Sequence, residues 1–210
     1  MSKRAIMEEG LSSEKKRDSA VSKSAILAAA AAVLSAEGYA GATISKVAQE
    51  ANVSRGLLHY HFQTKEAMFA EVLSTYMQNA ITAIQAELKN TNTPEQFVYA
   101  LIASQREIIF KPNGYMNLFL EGLVGARQSP IIKARMDAMY RSFREMILQK
   151  LTELQAEGAL TSGLSVAGMA ISITAILDGI GIQLLTIPDL LRTKGYLNEI
   201  EDSIVLLLTG

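Results

Sequence analysis

Apolar residues recur at intervals of three and four positions along most of this chain, and that spacing restricts its fold more than any other feature. In the first such segment, which begins at Ser22, one helix face carries Ile26, Leu27, Ala30, Val33 and Leu34. No segment shows the sustained alternation of apolar and polar residues, bounded by turn signals, that a half-buried strand requires. The sequence therefore predicts an all-α protein.

Capping residues and helix breakers divide the chain into separate helices. Gly38 is predicted to end the first helix, and Thr43 is predicted to cap a second, short one. Ser54 is expected to cap a third helix over 55–62, and Thr64 a fourth that runs toward Leu88. Beyond a polar linker at 90–94, helices are predicted over 94–110, 115–126, 130–157, 165–187 and 196–208.

The net charge of −1 conceals a difference between the two parts of the chain. Residues 1–65 carry nine Lys and Arg against six Asp and Glu, whereas residues 66–210 carry eleven against fifteen. This balance excludes a uniformly basic nucleic-acid coat. A basic N-terminal segment followed by an acidic remainder is compatible with a polyanionic partner that binds the N-terminal segment alone.

Two further features limit the class of protein. The chain has no Cys, which excludes a disulfide framework, a thiolate zinc site and a Cys nucleophile. The first ten residues are charged where a signal peptide would need an apolar segment. We therefore expect a cytoplasmic protein.

The segment at 43–66 has the spacing of two short helices that cross at a tight turn. Ala48 offers a small side chain at the crossing, and Asn52 tolerates the positive φ that the turn needs. Ten residues after Ala48, Leu58 provides the apolar side chain that presses into the crossing. This arrangement indicates a helix-turn-helix, the alternative being an ordinary helical hairpin.

From Ala25 to Leu73 the sequence resembles the DNA-binding domain of TetR-family transcriptional regulators. The resemblance rests on Gly38-Tyr39, Thr43, Ala48, Val53-Ser54, Gly56, His61-Phe62 and Lys65-Glu66. It implies a homodimeric repressor with a three-helix, helix-turn-helix DNA-binding domain, followed by a helical domain for ligand binding and dimerisation. Beyond residue 90 the chain matches such proteins in architecture only.

A helix-turn-helix places its second helix in the major groove of double-stranded DNA, with the first residues nearest the base edges. Arg55 is therefore expected to reach guanine or phosphate, and Leu57 to touch a thymine methyl group. Tyr60 is expected to contact bases or backbone. A dimer would read two such half-sites, so the operator is predicted to be near-palindromic.

Phosphate contacts are expected where helices begin, because free backbone N–H groups there favour phosphate oxygens. Thr43, Ser54 and Lys65 occupy such positions. The family usually has Tyr at the phosphate-contacting position where this chain has His59, which is therefore assigned to the interface. Asn52 likewise replaces the Gly that is more usual in the turn.

The sequence offers little for catalysis or metal binding. His59 and His61 are the only histidines, and neighbours two apart on a helix point about 200° from each other. They therefore cannot hold one ion together, and His61 is assigned with Phe62 to the packed part of the domain. Glycine-rich phosphate loops and nucleophile motifs are missing, and Glu121 and Asp178 cannot be paired from sequence. We expect no enzyme, no metal and no cofactor.

These observations divide the chain into four predicted segments. Residues 1–20 are polar and contain Lys15-Lys16-Arg17, so we expect a flexible arm, which is either a solvated tail or an arm that enters a DNA groove. Residues 21–66 are assigned to DNA binding and 67–89 to a connecting helix. Residues 90–210 are assigned to ligand binding and dimerisation.

The stretch at 159–188 carries a single charge, Asp178. A membrane helix would be long enough, but a central charge is expensive in lipid, four glycines lower the hydropathy, and no flanking Lys or Arg anchors the ends. An apolar helix of this kind is otherwise buried on all sides. We therefore predict that 165–187 and 196–208 form the homodimer interface, with no membrane involved.

A small, largely apolar effector is expected within the helical domain. The residues assigned to its pocket are Met116, Phe119, Leu120, Met139 and Phe143. Ordinary core packing is the alternative for each of them. At the level of function, the alternative is a helical adaptor or scaffold that binds a protein partner.

Overall fold

The computed structural model describes residues 23–110 and 115–210, and every regular element within those ranges is helical. The predicted arm at 1–20 lies outside the described residues. In chain order the α-helices are α1 Lys23–Gly41, α2 Ile44–Glu50, α3 Arg55–His61, α4 Lys65–Leu88, α5 Pro94–Phe110, α6 Tyr115–Ala126, α7 Pro130–Ala156, α8 Val166–Thr186 and α9 Tyr196–Thr209. A 3-10 helix covers Pro188–Arg192 between the last two. The predicted all-α class is confirmed.

Side-chain caps explain where the first helices begin. Thr43 accepts a hydrogen bond from the backbone N–H of Lys46 at 3.3 Å, and Ser54 accepts one from Leu57 at 3.1 Å. Thr64 caps α4 in the same way. Each cap satisfies one of the N–H groups that the first turn leaves without a helical partner.

The predicted end of the first helix was wrong. Gly38 does adopt the left-handed φ of +70°, but the helical turn resumes beyond it and α1 continues to Gly41. A hydrogen bond of 3.1 Å from the N–H of Ala42 to the carbonyl of Gly38 closes this added turn. Pro188 ends α8 as predicted, and it also begins the 3-10 helix, since Pro is favoured at the first helical position.

Helix α4 runs through the hydrophobic core of the described residues, which is one continuous cluster. Near its start Phe69 stacks on the ring of Tyr39 in α1, with the ring centroids 5.0 Å apart, and toward its end Ile81, Ile84 and Leu88 are buried where α4 packs against α5 and α7. One continuous helix therefore joins the N-terminal three-helix unit to the larger helical domain.

Helix α6 packs unusually close to its neighbours. A Cβ atom added at Gly122 would lie 2.7 Å from Met136 Sδ of α7 and 3.1 Å from Leu73 of α4. A Cβ added at Gly125 would lie 3.0 Å from Ile132 of α7. These glycines let α6 sit directly against α4 and α7, where small displacements of α6 are transmitted to both.

Candidate nucleic-acid interface and internal cavity

The crossing of α2 and α3 has the geometry of a helix-turn-helix. Ala48 and Leu58 are buried where the helices meet. Asn52 has a φ of +53°, and the N–H of Val53 donates to the carbonyl of Ala48 at 2.9 Å. The roles predicted for Ala48, Asn52 and Leu58 are therefore confirmed.

The opposite side of α3 is open. Arg55, His59 and Tyr60 are exposed, and Tyr60 keeps 77% of its surface. Leu57, next to the buried Leu58, is half-buried. Only part of its side chain is therefore exposed to a partner. Arg55, His59 and Tyr60 thus form the exposed side of α3, to which Leu57 contributes part of its side chain.

The candidate phosphate contacts lie around this surface. Thr43 and Ser54 are exposed and use their oxygens to accept the cap hydrogen bonds, which leaves each hydroxyl proton free to donate. Lys65, at the start of α4, lies with its Nζ 4.4 Å from the centroid of the Tyr39 ring. The ring orients this ammonium group by a cation–π interaction.

Tyr39 connects Lys65 to two carboxylates. Its hydroxyl donates to Glu66 Oε1 at 3.3 Å, and its backbone N–H donates to Glu121 Oε2 of α6 at 2.6 Å. Burial raises the pKa of the Tyr39 phenol, and the nearby Glu66 charge adds to that shift. Sequence reasoning missed the contact with Glu121, which lies 82 residues away in the chain.

The two histidines occupy different environments. His59 is exposed, whereas His61 is half-buried with its ring 5.2 Å from that of Tyr60. The Nε2 atom of His61 is buried without a hydrogen-bond partner among the described residues. Phe62 is in the core, as expected. In the described ranges no group of three or more His, Asp or Glu could hold a metal ion.

A cavity of about 80 Å³ lies among α4, α5, α6, α7 and α8. Four of the five predicted pocket residues line it, namely Met116, Phe119, Met139 and Phe143. The fifth, Leu120, is half-buried and packs against the core instead of lining the cavity. The other lining residues are Met77, Ala80, Ile81, Ile84, Gln105, Ile108, Tyr140, Leu177 and Asp178.

Polar groups are gathered at one side of this cavity. The Tyr140 hydroxyl donates to Asp178 Oδ2 at 3.0 Å. Burial raises the pKa of the Asp178 carboxyl, and the Tyr140 hydrogen bond offsets part of that shift. Burial also raises the pKa of Tyr140, reinforced by the Asp178 charge. The sequence signal for this pair was the isolated charge of Asp178, but its partner on α7 was not identifiable.

Helices α8 and α9 expose apolar side chains. Ile171 and Ile182 of α8 are 55% and 46% exposed, and Leu206 of α9 is 63% exposed. The other face of α8 is buried within the fold through Met169, Ile173 and Leu177, among others. Among the described helices, α1 and α8 are long and apolar enough to cross a membrane, a property that core helices of soluble proteins share.

An exposed recognition helix on a helix-turn-helix, joined to a helical domain with an internal cavity, defines a class of DNA-binding transcriptional regulators. Residues 26–72 match the model of the tetR family of bacterial regulatory proteins. Residues 113–208 match the model of the C-terminal domain of BetI-type transcriptional repressors. Together these segments span more than half of the chain, which belongs to the TetR family of transcriptional regulators.

Individual relatives agree with this assignment. The transcriptional regulator BetI of Brucella suis is 24% identical over 185 residues, which cover 88% of this chain and 90% of BetI. A regulator from Saccharomonospora viridis, solved with choline, has a TM-score of 0.71 at 21% identity and covers 88% and 94% of the two chains. FadR of Bacillus subtilis, solved with stearoyl-CoA, has a TM-score of 0.70 at 21% identity and covers 89% and 97%. The two structures share the fold of this chain.

Proposed function

We propose that this protein is a cytoplasmic, homodimeric repressor that leaves a near-palindromic operator when a small effector binds its internal cavity. The observation that carries the proposal is the division of α3 into two faces. Leu58 is buried in the crossing, while Arg55, His59 and Tyr60 project from the opposite, uncovered face. That is the orientation a recognition helix needs in a major groove.

Each exposed residue has a distinct role in this proposal. Arg55, Leu57 and Tyr60 reach base edges and supply sequence preference. Thr43, Ser54, His59 and Lys65 meet phosphates and fix the position of the helix, with no preference for sequence. Two copies of α3 then contact half-sites about 34–36 Å apart, or a multiple of that distance.

The apolar faces of α8 and α9 support dimerisation through these two helices. Ile171, Ile182 and Leu206 are exposed in the single chain, and an apolar surface of this kind on a regulator is typical of a subunit interface. A second copy would cover these side chains. The same interface would fix the distance between the two recognition helices.

Helix α6 offers the route from effector to DNA. Met116 and Phe119 line the cavity, and Glu121 accepts the backbone N–H of Tyr39 in the DNA-binding domain. A ligand that displaces α6 therefore shifts Tyr39 and, through it, Lys65. The DNA-binding domain then has two orientations relative to α6, one with the ligand and one without. The ligand must bind one of these orientations more tightly than the other, since equal affinity for both would leave operator binding unchanged.

The structural neighbours support a ligand-binding role for the helical domain, since one was solved with choline and another with stearoyl-CoA. The cavity of about 80 Å³ is far below the 300–1,000 Å³ or so of a pocket for drug-sized molecules. A compact effector therefore fits better than a long acyl chain.

A fluorescence anisotropy assay with genomic fragments from around the protein's own gene tests the proposal. We expect the full chain to bind one fragment specifically, and the double variant Arg55→Ala, Tyr60→Ala to lose that binding. A variant at Tyr99, which is exposed on α5 far along the chain from α3, is the matched control and should bind as the wild type does. If no fragment is bound above the non-specific level, the repressor is excluded and a helical adaptor is favoured.

A further inference from the structure

Gly181 leaves a notch in the side of α8 that faces the cavity. It is buried, and it follows the cavity-lining Leu177 and Asp178 by four and three positions, so the three residues share one side of the helix. A Cβ atom added at Gly181 would overlap the terminal methyl carbon of Met116 in α6. The Met116 methyl group therefore occupies the space that the side chain of any other residue at position 181 would need.

The space open to a displaced Met116 methyl group is the cavity. The Met116 side chain is 6% exposed, so the solvent side offers no room. Gln105 also borders the notch, because its Nε2 would lie 3.6 Å from the added Cβ, and this amide donates to the Leu177 carbonyl at 3.5 Å. Met116 lines the cavity of about 80 Å³, which is the empty space beside it. A side chain at position 181 would therefore move the methyl group into the cavity.

The fold can accept this movement. The overlapping atom is the far end of a Met side chain, and Met is unbranched and adapts to irregular gaps. A variant at Gly181 is therefore expected to fold and to lose cavity volume instead. In so small a cavity, one displaced methyl group decides whether a ligand fits.

We propose that Gly181 determines the size of the effector that the cavity accepts, because it keeps the Met116 methyl group in the notch and out of the space for the ligand. The inference rests on the proposed function in one respect, that the cavity is the effector site. Gly181→Ala should exclude ligands that the wild type binds, and Met116→Ala should admit larger ones.

Xenon and benzene, which enter small apolar cavities, test this pair of residues with probes of two sizes. Binding to the full chain without DNA is followed by NMR of ¹³C-labelled Met methyl groups, of which those of Met77 and Met139 also line the cavity. Gly181→Ala should weaken xenon binding by about threefold or more. Met116→Ala, which enlarges the cavity, should bind benzene at least about threefold more tightly than the wild type does.

The double variant provides the decisive comparison. In the Met116→Ala background, Gly181→Ala should have a much smaller effect on xenon binding, because the methyl group that it displaces is gone. If Gly181→Ala lowers the melting temperature, the double variant should restore it for the same reason. A loss of xenon affinity that is equal in both backgrounds, or no loss with Met116 in place, would overturn the proposal.

Gly179→Ala is the matched control on the same helix. Residues two positions apart point about 200° from each other around the helix axis, so this variant adds its methyl group away from the notch. Among the described residues no atom lies within 4 Å of the added Cβ, and xenon affinity should equal that of the wild type. Both Gly→Ala changes raise the helix propensity of α8. The same loss of xenon affinity in both variants would contradict the role assigned to the notch.

These measurements need no operator, so they separate the inference from the proposed function. A notch that controls xenon and benzene binding in a protein that binds no DNA would keep Gly181 as the determinant of ligand size but contradict the repressor. Specific operator binding, together with xenon affinity that is independent of position 181, would keep the repressor and overturn the role of Gly181.

Discussion

At the scale of single residues, the DNA-facing surface is held in place by contacts that do not themselves read DNA. Lys65 lies over the ring of Tyr39, whose backbone N–H and hydroxyl are in turn fixed by Glu121 and Glu66. Its ammonium group is therefore oriented before DNA arrives, which reduces the conformational entropy lost on binding.

Lys65→Ala should weaken specific and non-specific DNA binding by similar factors. The residue begins α4, where it is placed for a phosphate and not for a base edge. The slope of log affinity against log salt should fall by about one for each subunit, measured by anisotropy over a salt series. Loss of preference at one base pair would mean that Lys65 reads a base.

Asp178 makes stability depend on pH in a defined direction. Burial raises its pKa in the folded chain above the ordinary value of 3.8, so the folded state takes up this proton more readily than the unfolded state. Its contribution to the free energy of unfolding is therefore largest below that value and is lost as pH rises through the folded-state pKa.

Asp178→Asn should accordingly raise the melting temperature at pH 7, because it removes a half-buried charge and keeps an acceptor for Tyr140. The difference from wild type should shrink as the pH is lowered toward 4, measured by thermal unfolding of both proteins. A difference that is independent of pH would show that the Asp178 charge is not the cause.

At the level of helices, local sequence signals were sufficient to predict most helix boundaries. They were insufficient to predict the contacts between helices. Thr43, Ser54 and Thr64 act within three residues of themselves, so their caps were predictable. The contact of Glu121 with Tyr39, and that of Asp178 with Tyr140, join residues 82 and 38 positions apart. Only the packing of α6, α7 and α8 brings these groups together.

The predicted pocket shows the same difference between what a single helix determines and what the packing of several helices determines. Met116 and Phe119 were assigned to the pocket as apolar residues of the helical domain, and they do line the cavity. Leu120, one position further, turns toward the core because successive helical residues point about 100° apart. The polar side of the cavity depends on which face of α8 meets α7, and sequence periodicity does not determine that.

Glu121→Ala should loosen the DNA-binding domain against α6. It removes the acceptor of the 2.6 Å hydrogen bond from Tyr39, so exchange of the Tyr39 amide should accelerate. Operator affinity should fall by about 0.5–2 kcal/mol, the range expected for a residue that couples two sites without touching either ligand.

Glu121→Gln is the matched control, since its amide oxygen can still accept this hydrogen bond, and its effect should be smaller. Hydrogen exchange and anisotropy measured on the same samples check both variants. Wild-type operator affinity in Glu121→Ala would remove α6 from the route between cavity and DNA.

At the level of the whole molecule, the proposed repressor is a pair of chains. Ile171 and Ile182 leave apolar side chains exposed on α8, as Leu206 does on α9. Replacing both isoleucines by Asp would place charges in the centre of the proposed interface, where they would be desolvated without partners. We expect sedimentation velocity to show a dimer for the wild type and a monomer for this double variant.

Ile131→Asp serves as the control for that experiment. Ile131 is 50% exposed on α7 and lies outside the α8 and α9 surface, so this variant should remain a dimer. A monodisperse wild-type monomer at micromolar concentration would contradict the interface.

A hydroxyl-radical footprint of the full chain on its operator reports the spacing of the two recognition helices on DNA, and so tests whether α3 reads DNA as part of a dimer. We expect two protected patches related by two-fold symmetry, with centres about 34–36 Å apart or a multiple of that distance. Arg55→Ala together with Tyr60→Ala should abolish both patches at once. A single asymmetric patch, or two patches that persist in that double variant, would contradict the reading of DNA by α3.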